Sequence, residues 1–266
     1  MCRHLAYLGP PISLAEPILH QPHSLLHQSW APSDMRGSGT VNADGFGIGW
    51  LVTDPGEAGD GTSTGVARRY RRDCPIWSDA SLPDLAASVF STAILAAVRD
   101  ATVGMPVTET ACAPFVEGSW MFSHNGSIQG WPTSVASLAA ALSPAVLMTL
   151  DAPTDSAFVW ALVREGLRGG ASGATALSRV VGEVLALAPR SRLNLLLHDG
   201  VHITATTVGH ALWLHVTEAS VTVSSEALDP DDARWQPVPD LALLETRAPA
   251  IGTTHYTIRP LDQGAS

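Results

Sequence analysis

Residues 1–9 read Met-Cys-Arg-His-Leu-Ala-Tyr-Leu-Gly, and this stretch decides how the chain starts to fold. An apolar run extends to Leu8, and Gly9 followed by two prolines ends it. Such a run, closed by turn-forming residues, is typical of a β-strand. A strand that begins almost at the first residue predicts that the N-terminus itself is held in a sheet.

Cys2 is the first candidate for chemistry. Methionine aminopeptidases act when the second residue is small, so we expect Met1 to be removed and one domain to span residues 2–266. The mature chain then carries a thiol nucleophile and an α-amino base, with a reference pKa of about 7.7 to 8.0, on one residue. Any residue can follow an initiator methionine, so this interpretation needs support from elsewhere in the chain.

Composition excludes several classes of protein. The chain has 266 residues, of which 45% are hydrophobic and 15% charged, which indicates a globular protein without a membrane span. No lysine occurs, so Schiff-base and P-loop lysine chemistry are absent. A net charge of -10 argues against nucleic acid as a partner. Three cysteines without a secretory signal make a disulfide framework improbable and predict a cytoplasmic location.

The order of predicted elements indicates the architecture. Residues 45–52 alternate glycine with large apolar residues, as in a strand with one face against other backbone. Helices are predicted in the middle of the chain, including one from Asp155 to Arg168 capped by Thr154, and strands return after Arg190. Strands, helices and strands in this order predict layered sheets with helices outside, and exclude strict βαβ alternation.

Three further positions could complete a site around Cys2. A strand over residues 119–124 is predicted to stop at the turn dipeptide Asn125-Gly126, where a side-chain amide and a backbone N–H could form an oxyanion hole. Arg99 ends a buried apolar run, and Asp155 begins a helix. A guanidinium and a carboxylate are suited to hold the two charged groups of an α-amino acid. Each feature alone also has an ordinary structural explanation.

Together these pieces resemble the class II glutamine amidotransferases, which are N-terminal-nucleophile hydrolases. The matching segments are Met1-Cys2, Asn42-Ala43-Asp44-Gly45-Phe46-Gly47-Ile48-Gly49-Trp50, Ala97 to Gly104, His124-Asn125-Gly126 and Thr154-Asp155-Ser156. The resemblance implies an α+β fold, a four-layer αββα sandwich of two mainly antiparallel sheets. It further implies that no metal or organic cofactor takes part.

The resemblance also assigns roles to residues. It implies that Cys2 is the nucleophile, that Asn125 and Gly126 stabilise the oxyanion, and that Arg99 and Asp155 hold a glutamyl group. Asp44 lies in a glycine-rich loop that departs from the family pattern, so it is a candidate without a defined role. His124 could act as a base, but a packed, hydrogen-bonded histidine is the favoured interpretation because the amino terminus does that work in the family.

Within the family, the chain is similar to the γ-glutamyl amidohydrolases of ergothioneine biosynthesis. The similarity rests on Cys2-Arg3-His4-Leu5, Ala101 to Pro106, Ser225-Glu226-Ala227-Leu228-Asp229 and Trp235 to Pro239. It implies hydrolysis of γ-glutamyl-hercynylcysteine S-oxide to glutamate and hercynylcysteine S-oxide. Two alternatives stay open: a glutaminase subunit that supplies ammonia to a separate synthetase, and a non-catalytic binding domain that kept the fold.

Other signals favour ordinary structural roles. Ten histidines invite a metal site, but Pro22 interrupts the spacing of His20, His23 and His27, and no cysteine or carboxylate cluster completes a set. Cys74 and Cys112 are interpreted as inert. The expected partner is a small γ-glutamyl substrate, with neither nucleic acid nor membrane, and the sequence leaves a homo-oligomer open.

Overall fold

Two antiparallel sheets packed face to face form the body of the protein. The computed structural model describes residues 2–34, 41–52, 65–247 and 255–261, so Met1 and its removal lie outside the described residues. Within these ranges the strands are β1 (Arg3–Ser13), β2 (Phe46–Val52), β3 (Val66–Arg72), β4 (Phe90–Val98), β5 (Phe115–Glu117), β6 (Trp120–Ser127), β7 (Arg192–His198), β8 (His202–Thr207), β9 (Trp213–Val216), β10 (Val221–Ser224), β11 (Trp235–Pro237), β12 (Ala242–Arg247) and β13 (His255–Pro260).

Helices connect and cover the sheets. In the described part of the chain they are α1 (Leu25–Trp30), α2 (Leu82–Ser88), α3 (Ala136–Ala141), α4 (Pro144–Met148), α5 (Asp155–Arg168) and α6 (Gly173–Leu187), with a short π-helical turn at Glu16–His20. The α5 bounds are those predicted, and Thr154 caps the helix by accepting a hydrogen bond from the Ala157 amide at 3.2 Å. Among the described residues, no helix is long and apolar enough to cross a membrane.

The N-terminal strand is held in the first sheet, as its early start predicted, and the structure places it in the middle of that sheet. This sheet has the order β11-β9-β10-β1-β4-β2-β3, and the second has the order β13-β12-β8-β7-β6-β5. All pairings are antiparallel. In β1, Leu5 lies between Ser224 of β10 and Ala96 of β4. The start of the chain is thereby fixed on both sides.

Three apolar clusters separate four layers. One fills the space between the sheets and includes Leu95 from the first sheet and Leu196 from the second. Another packs α5 and α6 on the outer face of the second sheet, around Trp160. The third lies between the first sheet and the helices over it, around Ile18. Helix, sheet, sheet and helix therefore follow one another, which confirms the expected αββα sandwich.

Close backbone approach explains the glycines of β2. A Cβ on Gly47 would lie 2.2 Å from the Ala113 carbonyl oxygen, and one on Gly49 would lie 2.7 Å from Pro114 Cγ. Neither position has room for a side chain, because the 113–114 segment lies directly against this face of the strand. The alternation of small and large residues had predicted such an approach.

The structure corrects one prediction near the site. Asn125 and Gly126 do not close a hairpin turn, because β6 continues through both residues to Ser127. Asn125 pairs with Asn194 and Gly126 with Leu193 of β7. The register of β7 prolongs the strand beyond the turn dipeptide, so tertiary pairing overrides the local preference of Asn-Gly.

Candidate active site

Cys2 lies at the end of β1, half-buried, beside the end of β4. Arg3 pairs with Val98, so the next residues outward, Cys2 and Arg99, are neighbours at the same sheet end. The Cys2 thiol lies 3.9 Å from the carbonyl oxygen of Asp100. The structure thus places the residue of the expected nucleophile and the residue of the expected guanidinium at the same end of neighbouring strands.

A small cavity adjoins Cys2 between the sheets and the start of α5. Its volume is about 20 Å3, which is room for one water molecule. A glutamyl group is larger, so this cavity alone does not hold one and forms only the inner wall of a site. Its polar lining residues are Cys2, Arg99, Cys112, Ser123, His124 and Ser156.

Arg99 brings a free donor to this cavity. Its backbone is fixed by hydrogen bonds with the Gly45 carbonyl at 2.8 Å and the Asp44 amide at 2.9 Å. Its Nη1 atom is buried and has no hydrogen-bond partner among the described residues. An unpaired buried donor is unfavourable, and a substrate carboxylate would satisfy it.

Asp44 acts on the backbone next to Arg99. Its Oδ2 atom accepts a hydrogen bond of 2.8 Å from the Ala101 amide. Together with the bond from the Asp44 amide to the Arg99 carbonyl, this contact fixes the chain where it leaves β4. The structure therefore gives Asp44 a supporting contact, and it does not place this residue in the cavity lining.

Asn125 and Gly126 lie on the facing sheet. His4 in β1 and Ser123 in β6 meet across the gap, with His4 Nδ1 at 3.1 Å from Ser123 Oγ. Because side chains alternate along a strand, Cys2 and Asn125 face the same gap. The Oδ1 atom of Asn125 is buried and has no partner among the described residues. The placement of Asn125 across the gap from Cys2 is compatible with the oxyanion role, which its Nδ2–H and not its Oδ1 would fill, although neither Asn125 nor Gly126 is in the cavity lining.

Asp155 begins α5, and its carboxylate is held by backbone. Oδ2 accepts from the Ile128 amide at 3.0 Å, and Oδ1 accepts from the Ser156 amide at 2.8 Å. These bonds join the helix start to the segment that follows β6. Ser156, not Asp155, reaches the cavity lining, so the expected contact of Asp155 with substrate stays a prediction.

His124 is held on both sides of its ring. Its Nε2 atom lies 2.9 Å from the Arg192 carbonyl oxygen, to which it donates, and Nδ1 lies 3.1 Å from Ser156 Oγ. With both nitrogens engaged, the ring joins β6, β7 and α5. This geometry favours the structural interpretation of His124 over the role of a base.

Sequence reasoning missed that Cys112 belongs to this cavity. Its thiol is buried and donates to the Arg72 carbonyl oxygen at 3.4 Å. Burial raises the pKa of Cys112 to about 11, although the Arg99 charge acts in the opposite direction. The thiol is therefore a poor nucleophile at neutral pH, in agreement with the expected inertness.

Two other polar residues near Cys2 had no distinctive local signal. His4 is fully buried. Burial is the main cause that lowers its pKa to about 3, and the neighbouring His124 and His210 lower this pKa further. Glu226 is buried beside Arg3, with Oε1 at 2.8 Å from Arg3 Nε. Only the Ser225-Glu226 motif pointed to this segment, and it carried no role.

Comparison with known proteins identifies the family. The family model for class II glutamine amidotransferases matches residues 21–234. The chain is 39% identical to the γ-glutamyl-hercynylcysteine sulfoxide hydrolase of Mycolicibacterium smegmatis over 98% of this chain and 100% of that protein. It is 36% identical to the protein of the same name from Mycobacterium tuberculosis H37Rv, over 96% of each.

Solved structures agree with the fold. A glutamine aminotransferase class-II domain protein from Silicibacter pomeroyi superposes with a TM-score of 0.63 at 22% identity, over 98% of this chain and 99% of that chain. The glutamine phosphoribosylpyrophosphate amidotransferase of Bacillus subtilis gives a TM-score of 0.65 at 12% identity, over 99% of this chain and 50% of that one. The chain therefore belongs to the class II glutamine amidotransferases.

Proposed function

We propose that this protein hydrolyses the γ-glutamyl amide bond of γ-glutamyl-hercynylcysteine sulfoxide, with Cys2 as nucleophile. The observation that carries the proposal is that Cys2 and Arg99 line one cavity, where the Arg99 Nη1 is buried and has no partner among the described residues. The substrate is supported by the names of the relatives from two mycobacterial species. Glutamate and hercynylcysteine sulfoxide are the products.

The reaction proceeds through a thioester. The Cys2 sulfur attacks the γ-carbonyl carbon, and the α-amino group of the same residue accepts the thiol proton. The side-chain amide of Asn125 and the N–H of Gly126 stabilise the oxyanion. Collapse breaks the C–N bond, and the leaving amine takes the proton from the ammonium. Water then attacks the thioester and gives its proton to the amino group. The C–S bond breaks, glutamate is released, and the thiolate takes the proton back from the ammonium.

The glutamyl group is held by opposite charges. The Arg99 guanidinium pairs with the α-carboxylate through charge-assisted hydrogen bonds. Asp155 accepts from the α-ammonium in addition to the backbone amides it already holds. No step needs a metal or an organic cofactor. As the cysteine content predicts, we expect the protein to be cytoplasmic.

Similarity to a named hydrolase supports hydrolysis over ammonia transfer. The chain is 39% identical to the γ-glutamyl-hercynylcysteine sulfoxide hydrolase of M. smegmatis over the whole length of that protein. A hydrolase needs only water as the acceptor of the γ-glutamyl group.

The test is turnover and intact mass with a panel of γ-glutamyl amides that includes glutamine. We expect an initiator-free chain, preferred hydrolysis of γ-glutamyl-hercynylcysteine sulfoxide, and an adduct with the mass of a γ-glutamyl group. Cys2→Ala should abolish turnover, whereas Cys74→Ala, at another half-buried cysteine, should not. Preference for glutamine would indicate a glutaminase subunit, and absence of both adduct and turnover would indicate a binding domain.

A further inference from the structure

Glu226 lies next to the N-terminal residues because the pairing of β10 with β1 continues past the strand end. The Ser225 amide donates to the His4 carbonyl at 2.9 Å, and the His4 amide donates to Ser225 Oγ at 3.0 Å. These two bonds bring Glu226 alongside Arg3. The Glu226 side chain is only 5% exposed, and that of Arg3 only 4%.

The carboxylate of Glu226 accepts four hydrogen bonds. Oε1 accepts from Arg3 Nε at 2.8 Å and from the Asp34 amide at 3.2 Å. Oε2 accepts from the Ser33 amide at 2.8 Å and pairs with Nε2 of His23. A carboxylate offers about four acceptor sites, so all of them are used. The residue thus joins three parts of the chain at one point.

Arg3 connects the Glu226 carboxylate to the backbone of Cys2. Its Nη1 donates to the Cys2 carbonyl oxygen at 3.1 Å, and its Nη2 donates to the Asp34 carbonyl oxygen. A guanidinium is planar and rigid, so fixing Nε on Glu226 also fixes the direction of Nη1. The Cys2 carbonyl is one bond from the Cα that carries both the thiol and the α-amino group. Holding this carbonyl therefore fixes the position of Cα, so that only rotations about the Cα–C and Cα–Cβ bonds remain for these two groups.

Charge makes Glu226 necessary for this geometry. A guanidinium buried without a counterion is strongly unfavourable, so Arg3 would leave its position if the carboxylate were removed. Burial raises the pKa of Glu226, but hydrogen bonds from His23 and Ser33 and the Arg3 charge outweigh it and lower the pKa to about 2. The pair is therefore ionised throughout the neutral range.

We propose that Glu226 is a positioning residue for the Cys2 nucleophile, acting through the Arg3 guanidinium that holds the Cys2 carbonyl. The proposal rests on the proposed function only in taking Cys2 as the nucleophile. It gives a role to the buried Glu226, which is separated from Arg3 by 223 positions in the sequence. Neither Arg3 nor Glu226 is among the residues that line the cavity next to Cys2.

Glu226→Gln keeps the shape of the side chain and removes the charge. Whichever way the new amide turns, its NH2 group faces the backbone N–H of Ser33 or Asp34, so the four-bond arrangement cannot persist. A shift of about 1 Å in a reacting group can lower a rate about 100-fold. We therefore expect kcat to fall about 10- to 100-fold, with KM changed less than about twofold because the glutamyl contacts remain.

The experiment compares Glu226→Gln with two controls. Val184→Ala, at a buried position of α6 that packs against the second sheet, lowers stability without touching the N-terminus. Glu117→Gln makes the same chemical change at the end of β5, where Glu117 forms an ion pair with Arg168 of α5. For each variant kcat, KM and Tm are measured with γ-glutamyl-hercynylcysteine sulfoxide. The rate of Cys2 labelling by a diazoketone analogue of glutamine is measured as a second readout.

We expect that only Glu226→Gln loses kcat and maximal labelling rate. Its Tm should be no lower than that of Val184→Ala. A loss equal to that of Val184→Ala, or one found only in KM, overturns the proposal. The two proposals fail separately. If the sulfoxide is not hydrolysed, the proposed substrate is wrong, and the labelling rate still decides whether Glu226 positions Cys2.

Discussion

Replacing His4 with asparagine should reduce the sensitivity of the protein to acid. His4 is wholly buried in β1, where Nδ1 lies 3.1 Å from Ser123 Oγ and Nε2 has no partner among the described residues. Burial, together with the neighbouring His124 and His210, lowers its pKa from 6.5 to about 3. The folded protein therefore keeps this ring neutral at pH values where the unfolded chain protonates it.

The sign and size of the effect follow from this difference. The contribution of His4 to stability is fully present above the unfolded pKa of 6.5 and is lost as the pH falls toward about 3. Within that window the free energy of unfolding decreases by about 1.4 kcal/mol per pH unit. At about pH 5 the loss amounts to about 2 kcal/mol, a sizeable part of a typical stability of about 5 to 15 kcal/mol.

Urea unfolding followed by tryptophan fluorescence between about pH 4 and pH 7 measures this directly. In His4→Asn the amide can still bond Ser123, and the slope of stability against pH should fall by about 1.4 kcal/mol per unit. Ser123→Ala is the matched control. It removes the same hydrogen bond, so it should lower stability by about 1 kcal/mol at every pH and keep the wild-type slope. Parallel pH curves for wild type and His4→Asn would refute the reasoning.

Three further outcomes are expected. Arg99→Ala should raise KM for a γ-glutamyl amide about 10- to 100-fold, because a charged hydrogen bond contributes about 1.5 to 3 kcal/mol; an unchanged KM contradicts the carboxylate contact. Gly126→Ala places a Cβ 1.8 Å from the Arg192 carbonyl oxygen. Unfolding free energy should therefore fall by about 1 to 3 kcal/mol, with Tm lower by about 2 to 4 °C per kcal/mol; a wild-type Tm argues against this strand register. Iodoacetamide at about pH 8 should label Cys2 and spare Cys112 in a peptide-resolved mass spectrum, because the Cys112 pKa of about 11 leaves little thiolate. Equal labelling of both thiols rejects that burial effect.

Local patterns in the sequence were sufficient for several elements. A cap at Thr154, an acidic first turn and helical periodicity gave α5 its observed bounds, because all three signals act within a few residues. The alternating glycines of β2 predicted the close contact with the 113–114 segment without showing which segment it was. The motifs around Cys2, Arg99 and Asn125 were specific enough to indicate the family.

Register and sheet packing decided what the sequence could not. The pairing of β6 with β7 carries Asn125 and Gly126 inside a strand, although their local preference is a turn. The convergence of Cys112 on the cavity and of Glu226 on Arg3 depends on contacts between residues far apart in the chain. Sequence by itself determined the N-terminal strand, the helix from Asp155 to Arg168 and which residues are chemically capable, since these depend mainly on near neighbours in the chain. Only the tertiary structure decided which distant side chains meet, since that depends on how two separately formed sheets align.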